Sequence, residues 1–169
     1  MTSEAYMSPT MNEAQEDNAA LIRRVANEHR HVPGGLLPAL HAVQDALGYV
    51  PADAVDVLAE ATNRSRAEVH GVLTYYHHFR ETPPGRHVVQ LCQAEACIAC
   101  GANELAAHAQ RQLGCEMHHT RADGAVTLEP VYCLGLCALS PAAQIDGRVV
   151  GRMTPEKLDG LLVNMGVAP

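Results

Sequence analysis

Leu91-Cys92-Gln93-Ala94-Glu95-Ala96-Cys97 and Val131-Tyr132-Cys133-Leu134-Gly135-Leu136-Cys137 are the stretches that decide how this chain is read. The first contains a C-x4-C pair and the second a C-x3-C pair. Each follows a run of strand character: Arg86-His87-Val88-Val89-Gln90-Leu91 before one, Ala125-Val126-Thr127-Leu128-Glu129-Pro130-Val131 before the other. Loops that leave the ends of neighbouring strands converge. The pattern therefore predicts that Cys92, Cys97, Cys133 and Cys137 share one inorganic centre.

Thiolates are soft ligands, suited to zinc, copper(I) or iron–sulfur centres. Gly135 lets the backbone of the second loop approach a ligand or adopt positive φ, and amides in such a loop can donate to sulfur and tune a centre's potential. Leu134, Leu136 and Leu139 add apolar cover, and Pro141 stiffens the exit. Three chemistries compete on spacing. Structural zinc more often takes C-x2-C pairs, so x4 with x3 fits it less well. A dithiol exchanger is suggested by Cys97-Ile98-Ala99-Cys100, but that leaves Cys92, Cys133 and Cys137 without a role. An iron–sulfur centre accounts for most of the set. It has two registers, because Cys92, Cys97 and Cys100 also spell the plant-type C-x4-C-x2-C. That register idles one cysteine of the second loop, whereas using both pairs leaves only Cys100 and Cys115 spare. The favoured expectation is one [2Fe–2S] cluster on the two pairs.

Around these loops the chain divides into two parts. Residues 1–17 are polar without period and are expected to form a flexible tail. Helices are then predicted from Asn18 to about His29, from Leu36 to Leu47 with Gly48 as its terminator, and from Pro51 to about Thr62. The fourth opens on the Ser65-Arg66-Ala67-Glu68 capping box, with Val69, Val72, Leu73 and Tyr76 facing inward. Residues 18–82 are thus expected to form a helical bundle. Glu81-Thr82-Pro83-Pro84-Gly85 marks a boundary, and residues 86–169 form the second domain. There a helix follows the first cysteine loop, with Ala102, Leu105, Ala106, Ala109 and Leu113 inward and Gly114 at its end. A strand at 115–120 turns at Ala122-Asp123-Gly124 into the strand at 125–131. Asp146-Gly147 closes a hairpin between 143–145 and 148–150, and Thr154-Pro155 starts a last helix with Leu158, Leu161, Leu162 and Met165 inward. The expected class is α+β: a helical bundle followed by a sandwich of thioredoxin-like type.

Composition removes several functions. A net charge of −7, with no Trp and one Phe, argues against nucleic acid. No apolar run is long enough to span a bilayer and no leader-like stretch is recognised, so a cytoplasmic setting is expected. His77-His78 and His118-His119 are adjacent pairs whose rings diverge on either a helix or a strand, and they read as ordinary histidines. Neither a G-x-G-x-x-G after a strand nor a Walker loop is present.

From about Leu36 onward the sequence resembles the thioredoxin-like [2Fe–2S] subunit of NADH dehydrogenases, the 24-kDa subunit family of respiratory complex I. The resemblance rests on Leu37-Pro38-Ala39-Leu40-His41-Ala42-Val43-Gln44, Gly48-Tyr49-Val50-Pro51, Glu68-Val69-His70-Gly71-Val72-Leu73-Thr74-Tyr75-Tyr76 and both cysteine loops. It implies Cys92, Cys97, Cys133 and Cys137 as the ligands of one [2Fe–2S] cluster, with no family counterpart for Cys100 or Cys115. Within the family, Tyr75-Tyr76-His77-His78-Phe79-Arg80 and the residues inside the two loops are most similar to the gamma subunit of soluble, molybdenum-containing, NAD-dependent formate dehydrogenase. That implies an electron-transfer subunit without a catalytic residue of its own, a flavin- and NADH-binding partner, and a molybdenum-containing catalytic subunit. The equivalent subunit of complex I or of an NAD-reducing hydrogenase is the alternative, and a zinc-stabilised interaction module the alternative of a different class.

Overall fold

The computed structural model describes residues 11–167. They fall into two compact units that divide between Pro83 and Pro84. The expected tail lies partly outside the described residues.

The first unit is four helices: α1 (Met11–His29), α2 (Leu36–Leu47), α3 (Ala54–Thr62) and α4 (Arg66–Tyr75). Its core is built from the spaced apolar positions of each, with Ile22, Leu40, Val43, Leu58 and Val69 at most 1% exposed. Helix α1 begins at Met11, earlier than the apolar period from Asn18 indicates. Residues 11–17 are rich in Glu and Gln, which have good helix propensity but add nothing to an apolar stripe. Helix α2 ends on Gly48 at φ +82, whose N–H donates to the Gln44 carbonyl, as a glycine terminator should. Helix α3 starts at Ala54, so Pro51 lies in the preceding turn, where its carbonyl accepts from the Ala54 N–H at 2.9 Å. The capping box of α4 is complete: the Ser65 hydroxyl accepts from the Glu68 N–H and the Glu68 carboxylate accepts from the Ser65 N–H. Tyr76 departs from expectation. The helix stops at Tyr75, Tyr76 turns extended, and its ring is 44% exposed instead of inward. Buried Gln44 holds the turn that follows, donating to the His78 carbonyl and accepting from the Arg80 N–H.

The second unit is a five-stranded sheet with helices. In chain order it has β1 (His87–Cys92), α5 (Glu95–Ala99), α6 (Ala102–Leu113), β2 (His119–Thr120), β3 (Val126–Val131), β4 (Ala143–Ile145), β5 (Arg148–Val150) and α7 (Pro155–Asn164). The sheet order is β2-β3-β1-β4-β5. Strands β1 and β3 pair in parallel, from His87 opposite Val126 to Cys92 opposite Val131, and the other pairs are antiparallel. A parallel pair requires a crossover, supplied here by α5 and α6. Val89, Leu91, Leu128, Leu105, Leu113, Leu158 and Leu162 make the core between sheet and helices. The Asp146-Gly147 turn has φ +48 and +81, the positive pair a tight hairpin needs. Thr154 caps α7, with Pro155 in its first turn. The strand expected at 115–120 is reduced to His119–Thr120, because the Glu116 carbonyl accepts from the His119 N–H in a turn, and the His118 N–H donates to the Leu128 carbonyl of β3. Gly85 packs on β3: a Cβ there would sit 2.8 Å from the Val126 backbone, and its N–H donates to the Thr127 hydroxyl. Among the described residues, no helix is long and apolar enough to cross a membrane.

Candidate metal centre

Parallel pairing of β1 and β3 brings their carboxyl ends side by side, and each cysteine loop starts there. Cys92 closes β1 and Cys133 follows β3 by two residues. The two exits are tied together: the Gln93 N–H donates to the Val131 carbonyl at 2.8 Å, and the Cys92 N–H donates to the Ala142 carbonyl at 3.0 Å. Helix α5, which periodicity does not disclose because it is a single short turn, lifts Cys97 back over Cys92. Cys92 and Cys97 are buried, in a small apolar cluster with Ala102 and Ala142, bordered by Val131, Leu134 and Leu136. Cys133 and Cys137 stand on the exposed side.

The Cys133 and Cys137 sulfurs are 3.9 Å apart. Two thiolates on one tetrahedral metal with bonds of ~2.3 Å lie about 3.8 Å apart, so this pair already has the spacing of ligands to one ion. Cys133 reaches its place with φ +88, a conformation that costs on the order of 1–3 kcal/mol in a residue other than glycine. Its sulfur accepts the Gly135 N–H at 3.4 Å, and Gly135 itself has φ +75. The second loop ends in a 3₁₀ turn, Cys137–Leu139.

The electrostatics of the four thiols are linked. Burial opposes ionisation of Cys92. The Ala94 amide, the Cys97 thiol and the Cys133 and Leu134 amides nevertheless converge on its sulfur and hold its pKa below the ordinary thiol value. Cys137 moves the other way. Its hydrogen bond to Cys133 and the Cys133 charge push its pKa up, helped by burial and by the charges of Cys97 and Cys92. Four thiolates here repel one another unless a cation sits among them. A [2Fe–2S] cluster, which distributes two thiolates to each of two irons, fits such a donor set: two half-sites, cationic demand and amides aimed at sulfur.

The remaining candidates lie elsewhere. Cys100 caps the end of α5 and is exposed. Cys115 packs against the core of the second unit, and burial pushes its thiol pKa up, which disfavours the thiolate. His77 and His119 each face a carbonyl two residues earlier in the chain, at 3.1 and 2.9 Å, as ordinary turn histidines do. One polar side chain close to the sulfurs has no spacing signature in the sequence. The Ser140 hydroxyl lies 3.5 Å from the Cys97 sulfur.

Comparison with known proteins agrees with this geometry. The chain is 36% identical over 126 residues to one of the subunits of the NADH-quinone oxidoreductase of Pseudomonas aeruginosa, covering 75% of this chain and 76% of that one. It is 29% identical to the NADP-reducing hydrogenase subunit HndA of Solidesulfovibrio fructosivorans, over 76% of this chain and 75% of that one. The solved structure of an air-oxidized NAD+-reducing [NiFe]-hydrogenase superposes with a TM-score of 0.67 at 28% identity, over 81% of this chain. This chain spans only 23% of that hydrogenase chain. The family profile for thioredoxin-like [2Fe–2S] ferredoxins matches residues 22–166. With the fold, the cysteine loops and this match in agreement, the chain belongs to the thioredoxin-like [2Fe–2S] ferredoxin family, whose members carry one such cluster.

Proposed function

We propose that this chain holds its [2Fe–2S] cluster through Cys92, Cys97, Cys133 and Cys137, and works as the electron-transfer subunit of an NAD-linked oxidoreductase complex. The observation that carries the reading is the convergence of both cysteine pairs at the paired ends of β1 and β3, with one pair buried and the other exposed. A cluster on these thiolates supplies single-electron transfer. The protein's own contribution is to keep Cys92 and Cys97 away from water, to aim amides at the sulfurs, and to leave Cys133 and Cys137 at the surface, where a partner can approach. The partner is a flavin- and NADH-binding subunit, since hydride exchange with NAD needs a two-electron carrier. NADH-quinone oxidoreductase and NADP-reducing hydrogenase subunits among the relatives support a nicotinamide-linked complex.

Within that class we favour a soluble NAD-dependent formate dehydrogenase with a molybdenum-containing catalytic subunit. The support is the sequence Tyr75-Tyr76-His77-His78-Phe79-Arg80 together with the loop residues Gln93-Ala94-Glu95-Ala96 and Leu134-Gly135-Leu136. The relatives above favour complex I or a hydrogenase as the second reading. Affinity purification of the tagged chain from its own host without oxygen separates them. Co-purification of a molybdenum subunit with formate-dependent NAD reduction is expected. A nickel subunit or a membrane complex in its place refutes the formate assignment. The isolated chain should be brown and should give one paramagnetic spin per chain on reduction, and a colourless protein with stoichiometric zinc would refute the cluster.

A further inference from the structure

Ser140 sits between the two cysteine pairs. Its hydroxyl donates to the Cys137 carbonyl at 2.8 Å and lies 3.5 Å from the Cys97 sulfur, within the range of a sulfur hydrogen bond. A serine hydroxyl has one proton to give and two lone pairs to accept with. While Cys97 is a thiol, both contacts are satisfied at once: the S–H donates to Oγ, and the O–H donates to the Cys137 carbonyl. A metal-bound Cys97 has no proton. The only hydrogen bond then possible across that contact is O–H to sulfur, which the hydroxyl makes by turning its proton from the carbonyl toward Cys97.

We propose that Ser140 is a positioning and tuning residue for the cluster, its hydroxyl donating to the Cys97 sulfur when that sulfur is a ligand and favouring the reduced state. This rests on the assignment of Cys97 as a ligand. The physical reason is charge. One added electron raises the negative charge on the ligand sulfurs, and a donor aimed at one of them stabilises the more negative state more than the less negative one. Cys97 is buried, so water does not substitute for the hydroxyl at this sulfur. The backbone around Ser140 is held independently of its side chain. The Leu139 carbonyl accepts from the Arg152 N–H, the Pro141 carbonyl from the Met153 N–H at 2.9 Å, and the Ala142 carbonyl from the Cys92 N–H at 3.0 Å. Removing the hydroxyl therefore leaves the segment in place.

The test uses the full chain loaded with its cluster, titrated with mediators and a low-potential chemical reductant. Ser140→Ala should keep the visible spectrum and iron content while its reduced-to-oxidised ratio at fixed poise falls by up to about tenfold, ~59 mV for one electron. Ser140→Thr, which keeps a hydroxyl, should restore the wild-type value. In deuterated buffer, the reduced wild-type protein should show one exchangeable-proton coupling to the paramagnetic centre that Ser140→Ala lacks. Unchanged potential together with an unchanged set of couplings in Ser140→Ala would overturn the proposal and leave the hydroxyl as a brace for the Cys137 carbonyl alone. Should Ser140→Ala fail to retain a cluster, the isosteric pair Ser140→Thr and Ser140→Val decides by the same titration, equal potentials again overturning it. Failure of the ligand assignment is separately visible: Cys97→Ser would then keep the wild-type spectrum, whatever residue stands at 140.

Discussion

At the scale of single residues, the six cysteines divide by environment. Replacing Cys133 or Cys137 with Ala should abolish or grossly alter the cluster, read as loss of visible absorbance and iron. Each removes one of two sulfurs that stand 3.9 Å apart. Cys100→Ala and Cys115→Ala should retain the spectrum, since Cys100 is turned outward at the end of α5 and Cys115 is packed against another core. Loss of the cluster in Cys100→Ala would establish the plant-type register. The pairing of x4 with x3 was legible in the sequence because it depends only on residue type and count. The strained φ of Cys133 and the place of Ser140 beside Cys97 were not. Each follows from how one loop is pressed against the other, and no local rule contains that information.

At the scale of elements, two turns support the sheet and the second cysteine loop. Gly151 directly follows β5, and a Cβ there would lie 2.7 Å from the Leu139 Cβ and 2.9 Å from its carbonyl oxygen. Gly151→Ala must displace the 3₁₀ turn that carries Cys137, because the neighbours are a Cβ and a backbone carbonyl rather than the end of a flexible side chain. A destabilisation of about 1–3 kcal/mol is expected, read by thermal unfolding, together with faster loss of the cluster to a chelator. The turn from β2 to β3 is held by Arg121 and Asp123. Their paired hydrogen bonds, at 2.9 and 2.8 Å, with a further bond from the Ala125 N–H, lower the Asp123 pKa to about 2. A carboxylate with a depressed pKa stabilises the fold above its unfolded value near 3.8 and loses that contribution as pH falls toward 2. The unfolding curves of wild type and Asp123→Asn should thus differ at pH 5 to 7, and the difference should shrink between about pH 4 and pH 2. A gap that is constant with pH would show that the pair does not contribute this way. Helix ends were the most legible elements, since Ser65, Thr154 and Gly48 act within one turn of themselves. The single-turn α5 is too brief to carry a period and is not legible, and β2, expected at 115–120, is shortened to His119–Thr120.

At the scale of the whole molecule, the two units divide the chemistry unevenly. All four proposed ligands lie beyond Pro83, and the helical unit has its own core of Ile22, Leu40, Leu58 and Val69 with no cysteine. Our expectation is that residues 83–169 alone retain the visible spectrum, and that residues 1–82 serve to dock on the flavin-bearing subunit. The truncated chain should then fail to co-purify with that subunit and should not be reduced by NADH in its presence. Assembly and NADH-driven reduction without the helical unit would refute the docking role. Inability of the truncated chain to hold a cluster would show that the second unit depends on the first for its fold.

Sequence by itself determined the helical half, the proline–glycine break, the four candidate thiols and the α+β class, because these follow from periods, caps and spacings that operate over a few residues. Only the tertiary structure decided which strands are neighbours. Placing β1 beside β3 in parallel joins residues about forty positions apart, from Cys92 opposite Val131 to Gln93 bonded to the Val131 carbonyl. That choice is made by burial of Val89, Leu91 and Leu128 against α6 and α7, a collective packing term that no short stretch expresses. The burial of Cys92 and Cys97, the exposure of Cys133 and Cys137, and the hydroxyl between the pairs all descend from it.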